Sequence, residues 1–455
     1  MVVLSSPIKQ LKEQLIIAPF LRSIRKPHLA LSALHQKHGD LVLASFFTKK
    51  MLCICHPDHV EEIYIQEAKG LLNRDFLYEA KKSFFADSLF NSKAETWVKQ
   101  RRLMQPLFTR EAISQWQNIF INEAEITREK LKATTATEIN LSCEIKKLVQ
   151  RIIIKTLLGR SADTIPNNEA LIQTIDVISQ CLLPQLVTQI ISNGKLMWFM
   201  PIKKWQYQKA VLKLADFISQ EIALKREHLG HDLISQMMQA TDSKSGYTMP
   251  QELLQDEMVN LFFASQDTTI NTLAWFFYLL GKNQAVHNKV TAEIMKFRDD
   301  ALTTANLEKL VYTKAALNET LRLYPPSGGI TSLAVEDITV GGYNIKKGTT
   351  ILLSLFVTHR HSALWECPNE FYPEHFINPQ LTTELYKYAF YPFGGGLHNC
   401  LGRHFAELEM MIVIVTLLRE FTFKTDDTIK EAASITLKPD RDVILSIKPL
   451  GKNAN

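Results

Sequence analysis

Phe393-Gly394-Gly395-Gly396-Leu397-His398-Asn399-Cys400-Leu401-Gly402 is the stretch on which the reading of this chain turns. The pattern after it predicts a long apolar helix from about Leu401 to Glu420, so Cys400 stands just ahead of a helix start. The unpaired amides and positive dipole end of such a helix favour an anion. A thiol placed there ionises more readily than usual. Three consecutive glycines let the backbone bulge tightly with no side-chain obstruction. A loop of that kind can turn N–H groups toward sulfur, and such donors tune a metal-bound thiolate. Gly402 leaves room for a flat cofactor against the helix start, and Phe393 can pack near the sulfur and limit water. A glycine turn with an incidental cysteine is the bland alternative. The whole spacing in a loop-to-helix setting speaks against it.

Working outward, a second long helix is predicted from near Pro250, a favourable first-turn residue, to Gly281. That is about 30 residues, or roughly 45 Å. Its middle, Leu261-Phe262-Phe263-Ala264, is apolar all round and therefore expected to be buried. Asp267 and Thr268 follow immediately and are poor choices for an apolar interior. A mid-helix threonine can bond the carbonyl four residues back, here Ala264. An acid beside a hydroxyl can relay protons into a dry pocket. A threonine that satisfies its own backbone and a structurally paired aspartate are the alternative.

Phe-Gly-x-Gly-x-(basic)-x-Cys-x-Gly resembles the haem-binding loop of the cytochrome P450 family. That resemblance implies a mainly α fold with a minor β portion, built as a single large domain with a long central helix over the haem. It implies haem b (heme, iron protoporphyrin IX) with Cys400 as the axial thiolate ligand, whose electron donation favours O–O cleavage. Phe393, Gly394, His398, Gly402 and Ala264 are then cofactor-binding residues, with His398 at the family's basic position beside a haem propionate. Asp267-Thr268 resembles the family's acid–alcohol pair, although Ser265 stands where glycine is usual. Trp97 and Arg101, four apart on a predicted helix, match the family's Trp-x-x-x-Arg and would reach one propionate together; an exposed basic helix face is the alternative.

Glu319 and Arg322 share a helix face and resemble the Glu-x-x-Arg brace of the cysteine loop. Apolar neighbours and the Pro325-Pro326 stop point to burial rather than a weak surface pair. The usual third partner is an arginine, and His375 replaces it here, which opens the network to pH. A further family arginine falls near Ser332-Leu333 and is absent. His359-Arg360-His361-Ser362 resembles another family stretch, in which aspartate and proline are more usual at His361 and Ser362. An apolar substrate pocket is expected from Phe262, Phe263, Phe85, Ile330 and Ile435, and an apolar lid from 196–200.

The rest of the chain bounds this reading. Its 455 residues suffice for one large domain, and 46% hydrophobic against 22% charged residues is a globular balance. A net charge of +5, with no basic run, speaks against a nucleic-acid partner. Six scattered cysteines without a CxxC pair suit a reduced, intracellular setting. Cys53 and Cys55 fall on one face of a predicted strand and are read as small buried hydrophobes. The apolar run near Leu15-Ile16-Ile17 is too short for a membrane span, which needs about 20 residues. A cytoplasmic protein with one domain over residues 1–455, including a lead segment of about 25 residues, is expected. No reductase domain is recognisable, so electrons are expected from a separate ferredoxin or flavodoxin, with Lys99, Arg102 and Arg110 as a docking side.

The implied activity is monooxygenation of an apolar small molecule with O2. A haem-thiolate peroxygenase or an isomerase or dehydratase of peroxides is the alternative within the same chemistry. A haem-based sensor or apolar-ligand carrier is the alternative outside it. The acid–alcohol pair disfavours both.

Overall fold

A computed structural model describes residues 11, 14–15, 26–46, 49–166, 170–171, 173–182, 201–377, 387–433 and 436–450. The helices used below are α1 (Pro27–His38), α2 (Pro57–Ala68), α3 (Tyr78–Phe85), α4 (Ala94–Met104), α5 (Gln117–Lys132), α6 (Leu141–Leu158), α7 (Pro201–Glu227), α8 (Gln251–Lys282), α9 (Gln284–Lys296), α10 (Val311–Leu323) and α11 (Arg403–Leu418). The strands are β1 (Gln14–Leu15), β2 (Leu41–Phe46), β3 (Lys49–Ile54), β4 (Leu72–Asn73), β5 (Glu138–Asn140), β6 (Ile330–Ala334), β7 (Ile338–Val340), β8 (Tyr343–Ile345), β9 (Thr350–Leu353), β10 (Phe421–Lys424), β11 (Glu431–Ala433), β12 (Leu437–Pro439) and β13 (Ile444–Pro449). The chain is mainly α with a minor β portion, as its periodicity indicates. None of the described helices is long and apolar enough to cross a membrane.

Two compact units emerge. One comprises Met1–Phe76, Ala315–Cys400 and Glu431–Lys438. It holds a six-stranded sheet of order β1-β2-β3-β9-β6-β4. β2 and β3 pair antiparallel from Leu41↔Ile54 to Phe46↔Lys49, and β3 runs parallel to β9. Leu52, Ile54, Ile351 and Leu353 of this sheet pack with Val60, Ile63 and Tyr64 of α2 in one apolar core. The β7–β8 hairpin closes through Gly341 and Gly342 at φ 56° and 77°. A two-residue turn with both central φ positive matches the right-handed twist of its strands, and glycine adopts it without strain.

The other unit comprises Leu77–Lys314, Leu401–Lys430 and Pro439–Asn455. α8 is its longest element, 32 residues, and Pro250 sits at its N-cap rather than inside the first turn. From Asn271 to Gly281 every residue of α8 is buried, which is why this stretch is apolar on all faces. Phe277 meets Phe423 of β10 edge-on at 5.1 Å. The Tyr278 hydroxyl accepts the Ile429 N–H at 3.1 Å, so a phenol anchors the segment that follows β10. α11 buries Phe405 against Phe120 of α5 at 4.8 Å. Between α5 and α6 stands β5, which pairs with β13 through Ile139↔Leu445. The lid expected at 196–200 lies outside the described residues.

Candidate active site

The cysteine loop belongs to the first unit. Its N–H of Cys400 donates to the Phe393 carbonyl at 2.8 Å, closing an eight-residue ring. Gly394 and Gly396 sit at φ 71° and 63°, the left-handed region. Close approach adds a second reason for glycine. A Cβ on Gly395 or Gly396 would stand 2.9 or 2.7 Å from the Tyr64 ring of α2. A Cβ on Gly394 would meet the Ile330 side chain at 3.3 Å, so this pocket candidate of β6 borders the loop. A Cβ on Gly402 would meet nothing within 4 Å. Cys400 is exposed, and the chain enters α11 three residues later. A thiol presented openly, next to a glycine with open space beside it, is a donor set and cradle that fit a flat iron-bearing group.

His398 Nδ1 stands 3.0 Å from Glu67 Oε1. Glu67, nearly buried on α2, also receives Arg74, whose Nη2 donates to Oε2 at 3.0 Å and whose Nε donates to Oε1. Burial alone would raise the Glu67 carboxyl. The His398 and Arg74 hydrogen bonds outweigh it and hold the carboxyl below its ordinary value. Neither Glu67 nor Arg74 was visible as a partner of the loop from sequence.

The expected group of Glu319, Arg322 and His375 comes together in the first unit. Glu319 and Arg322 of α10 are both 0% exposed. Arg322 donates through Nε and Nη2 to the two Glu319 oxygens at 2.7 Å each. Its Nη1 also donates to the carbonyls of His359 at 2.7 Å and Pro368 at 2.8 Å, and Nη2 to that of Glu370 at 3.1 Å. Glu319 accepts the Tyr372 N–H at 2.9 Å. His375 joins as the third member, with Nδ1 at 3.2 Å from both Glu319 oxygens and Nε2 at 2.7 Å from the Glu366 carbonyl. Each of those contacts needs an N–H, so the ring makes both only when it carries two protons.

The second unit carries α8. The Thr268 hydroxyl donates to the Ala264 carbonyl at 2.9 Å, the back-bond its position predicts. Ser265 does the same to Leu261 at 2.7 Å, so its hydroxyl is turned into the helix. Ala264 is exposed although Phe262, Phe263 and Gln266 around it are buried, so the helix opens one face at this point. Asp267 lies 3.5 Å from the Ser179 hydroxyl. Phe263 meets Phe84 and Phe85 of α3 at 4.9 and 6.2 Å, and Phe217 of α7 lies 6.2 Å from Phe262. Phe84, Phe85 and Phe263 thus form one aromatic wall, Phe262 packs on Phe217, and Ile435 lies outside the described residues. Trp97 and Arg101 lie one turn apart on α4 and both are half-buried. Of the expected docking cations, Lys99 pairs with Glu95 at 2.9 Å, Arg102 with Asp242 at 3.3 Å and Arg110 with Glu308 at 3.0 Å.

Glu409 of α11 was passed over in the sequence and is wholly buried. Burial pushes its carboxyl well above the usual range. The Thr269 hydroxyl of α8 is near enough to temper that shift, yet no hydrogen bond of normal geometry joins them. The signal was present: Glu409 borders the apolar run Met410–Leu418, one turn beyond the polar start of the helix.

Comparison with known proteins places this geometry. The family model for Cytochrome P450 matches residues 11–449 and so runs through both units. A cytokinin hydroxylase of Arabidopsis thaliana is 26% identical over 89% of this chain and 80% of its own length. A cyclooctatin synthase of Streptomyces melanosporofaciens is 28% identical over 86% of this chain and 84% of its own. A cyclooctat-9-en-7-ol 5-monooxygenase of the same organism is 27% identical over 86% and 84%. With the cysteine loop and a match over nearly the whole sequence, the chain belongs to the cytochrome P450 family.

Proposed function

We propose that this cytochrome P450 is a monooxygenase that hydroxylates or epoxidises an apolar small molecule, such as a fatty acid or terpene. It does so with O2 and electrons from a separate protein of the ferredoxin or flavodoxin kind. Cys400 would hold the iron of a b-type haem, on a loop shaped by Phe393, Gly394 and Gly402. His398, Trp97 and Arg101 would hold the haem carboxylates, and Ala264 would leave space for the ring. When bound, the haem supplies dioxygen activation and oxygen insertion, chemistry that no side chain provides. The protein's own tasks are then to position an apolar substrate, exclude water and move protons.

The acid–alcohol pair in the middle of α8 carries this reading. The Thr268 hydroxyl spends its proton on the Ala264 carbonyl and keeps lone pairs to accept another. Asp267, one residue before it, can exchange protons with solvent and renew that donor. A carrier or sensor has no use for such a relay. The aromatic wall of Phe84, Phe85 and Phe263 supports an apolar substrate, and relatives named as a hydroxylase and a monooxygenase support oxygen insertion.

Fatty acids, terpenes and steroids are screened for a shift of the haem Soret band, and any hit is offered with a ferredoxin system under 18O2. One labelled oxygen per product molecule is expected, with turnover dependent on the electron donor. Cys400→Ser should alter the carbon-monoxide spectrum of the ferrous protein. An unchanged spectrum in that variant, or turnover by hydrogen peroxide alone, overturns the proposal.

A further inference from the structure

A second group of ligating side chains lies in the first unit, on residues that the haem chemistry does not use. Cys55 follows β3 and is fully buried. Its Sγ lies 3.6 Å from Asp40 Oδ1 and 3.2 Å from His35 Nδ1. His361 Nε2 lies 2.9 Å from the same Asp40 oxygen. The ligating atoms of Asp40, Cys55 and His361 all fall within 4.8 Å of one another. They come from three places in the fold: the turn after α1, the end of β3 and the turn near 361. Sheet and helix packing therefore holds them together, not local sequence.

We propose that Asp40, Cys55 and His361 form a binding site for a divalent transition metal of the zinc class. A tetrahedral zinc ion takes sulfur at about 2.3 Å and nitrogen or oxygen at about 2.0–2.2 Å, which sets donor–donor edges of roughly 3.3–3.6 Å. The sulfur–oxygen edge already has that length, and the oxygen–nitrogen edge needs only a few tenths of an ångström more. Three ligands leave a fourth position to solvent. The partial exposure of Asp40 and His361 provides the way in. His35 completes the outer shell. Its Nδ1 faces the Gly39 carbonyl at 2.8 Å as well as the sulfur, so a proton there is shared with a Cys55 thiolate and supports it.

The site asks for two adjustments. Burial raises the Cys55 thiol well above its ordinary value, with the Asp40 charge acting in the same direction. The metal must therefore displace the thiol proton to solvent, and binding strengthens as pH rises. The His361 Nδ1 now accepts the Ala363 N–H at 3.3 Å. A ring ligating through Nε2 carries its proton on Nδ1 and gives up that long contact. The chain's usual-family residue at 361 is aspartate, so His361 is what converts an acidic pair into a mixed sulfur, nitrogen and oxygen set.

The test uses the haem-loaded, full-length protein, stripped with chelator and dialysed against low-micromolar zinc chloride. About one zinc per chain is expected to remain. X-ray absorption at the zinc edge should contain one sulfur neighbour near 2.3 Å. Cys55→Ala and His361→Asp should each weaken retention at least tenfold while circular dichroism and melting temperature stay at wild-type values. The aspartate variant introduces the residue more usual in the family at this position. Zinc bound without a sulfur neighbour, equal retention in Cys55→Ala, or no zinc retained by the wild type overturns the site.

Discussion

Replacing Glu319 with alanine strands a charge in the interior, and the structure fixes the size of the penalty. Arg322 keeps its three carbonyl acceptors, on His359, Pro368 and Glu370, but loses both hydrogen bonds to the carboxylate and the charge that balances its own. Removing one partner of a buried pair costs about 3–5 kcal/mol, against about 0–1 kcal/mol for an exposed pair. The Tyr372 N–H and the His375 Nδ1 also lose their acceptor, adding about 1–3 kcal/mol for each donor left unsatisfied. Glu319→Ala should thus destabilise by at least about 5 kcal/mol, a large share of a native protein's typical 5–15 kcal/mol. Glu319→Leu combined with Arg322→Met removes the stranded charge with its partner and should recover part of the loss, the Tyr372 and His375 donors staying without their acceptor. Urea unfolding followed by far-ultraviolet circular dichroism measures both. The reasoning fails if the single variant loses under 1 kcal/mol, or if the double variant is as unstable as the single. The same carboxylate adds an acid limit. Burial raises its pKa, but Arg322 and His375 hold it below the ordinary value. The stability it contributes is therefore present above the unfolded value near 4.5 and is lost as pH falls through the folded value.

Two further outcomes are expected. His287 is buried on α9, accepts the Phe423 N–H through Nε2 at 3.2 Å, and is lowered by burial to about 4 from 6.5. The unfolded chain binds the proton more readily, so this contribution is intact above about pH 6.5 and is lost as pH falls toward 4, by about 3 kcal/mol in all. Melting temperature against pH should steepen over that window in the wild type and flatten in His287→Gln; parallel curves would refute it. Gly396→Ala meets both a left-handed backbone and a Tyr64 contact at 2.7 Å. The conformation alone costs about 1–2 kcal/mol, so the variant should melt several degrees lower and retain less haem. Wild-type melting would show that the loop does not depend on this glycine.

What could be read from the sequence, and what could not, divides by distance along the chain. The back-bond from Thr268 to Ala264 and the Glu319–Arg322 pair are spaced four and three residues apart. Helix geometry alone determines such neighbours. The Gly341-Gly342 hairpin is equally local, because two positive φ values leave few other residues possible. The cysteine loop was legible for a related reason: ten consecutive residues hold its glycines, its imidazole and its thiol. Partners brought in from far away were not legible. Glu67 reaches His398 across more than 300 positions, and β5 owes its three residues of strand to pairing with β13 at a similar separation. Neither has a periodic signature of its own. Cys55 shows the same limit most clearly. Beside Cys53 on a strand it reads as a small hydrophobe, and both thiols are in fact fully buried. Only the fold brings Asp40 and His361 to one of them, giving two cysteines of identical local sequence character unequal chemistry. Cys53 packs among Val42 and Ala44, with burial alone raising its thiol to about 12. Cys55 faces a carboxylate and two imidazoles, and it is this difference in long-range surroundings, rather than the residue type, that makes one thiol inert and the other a ligand.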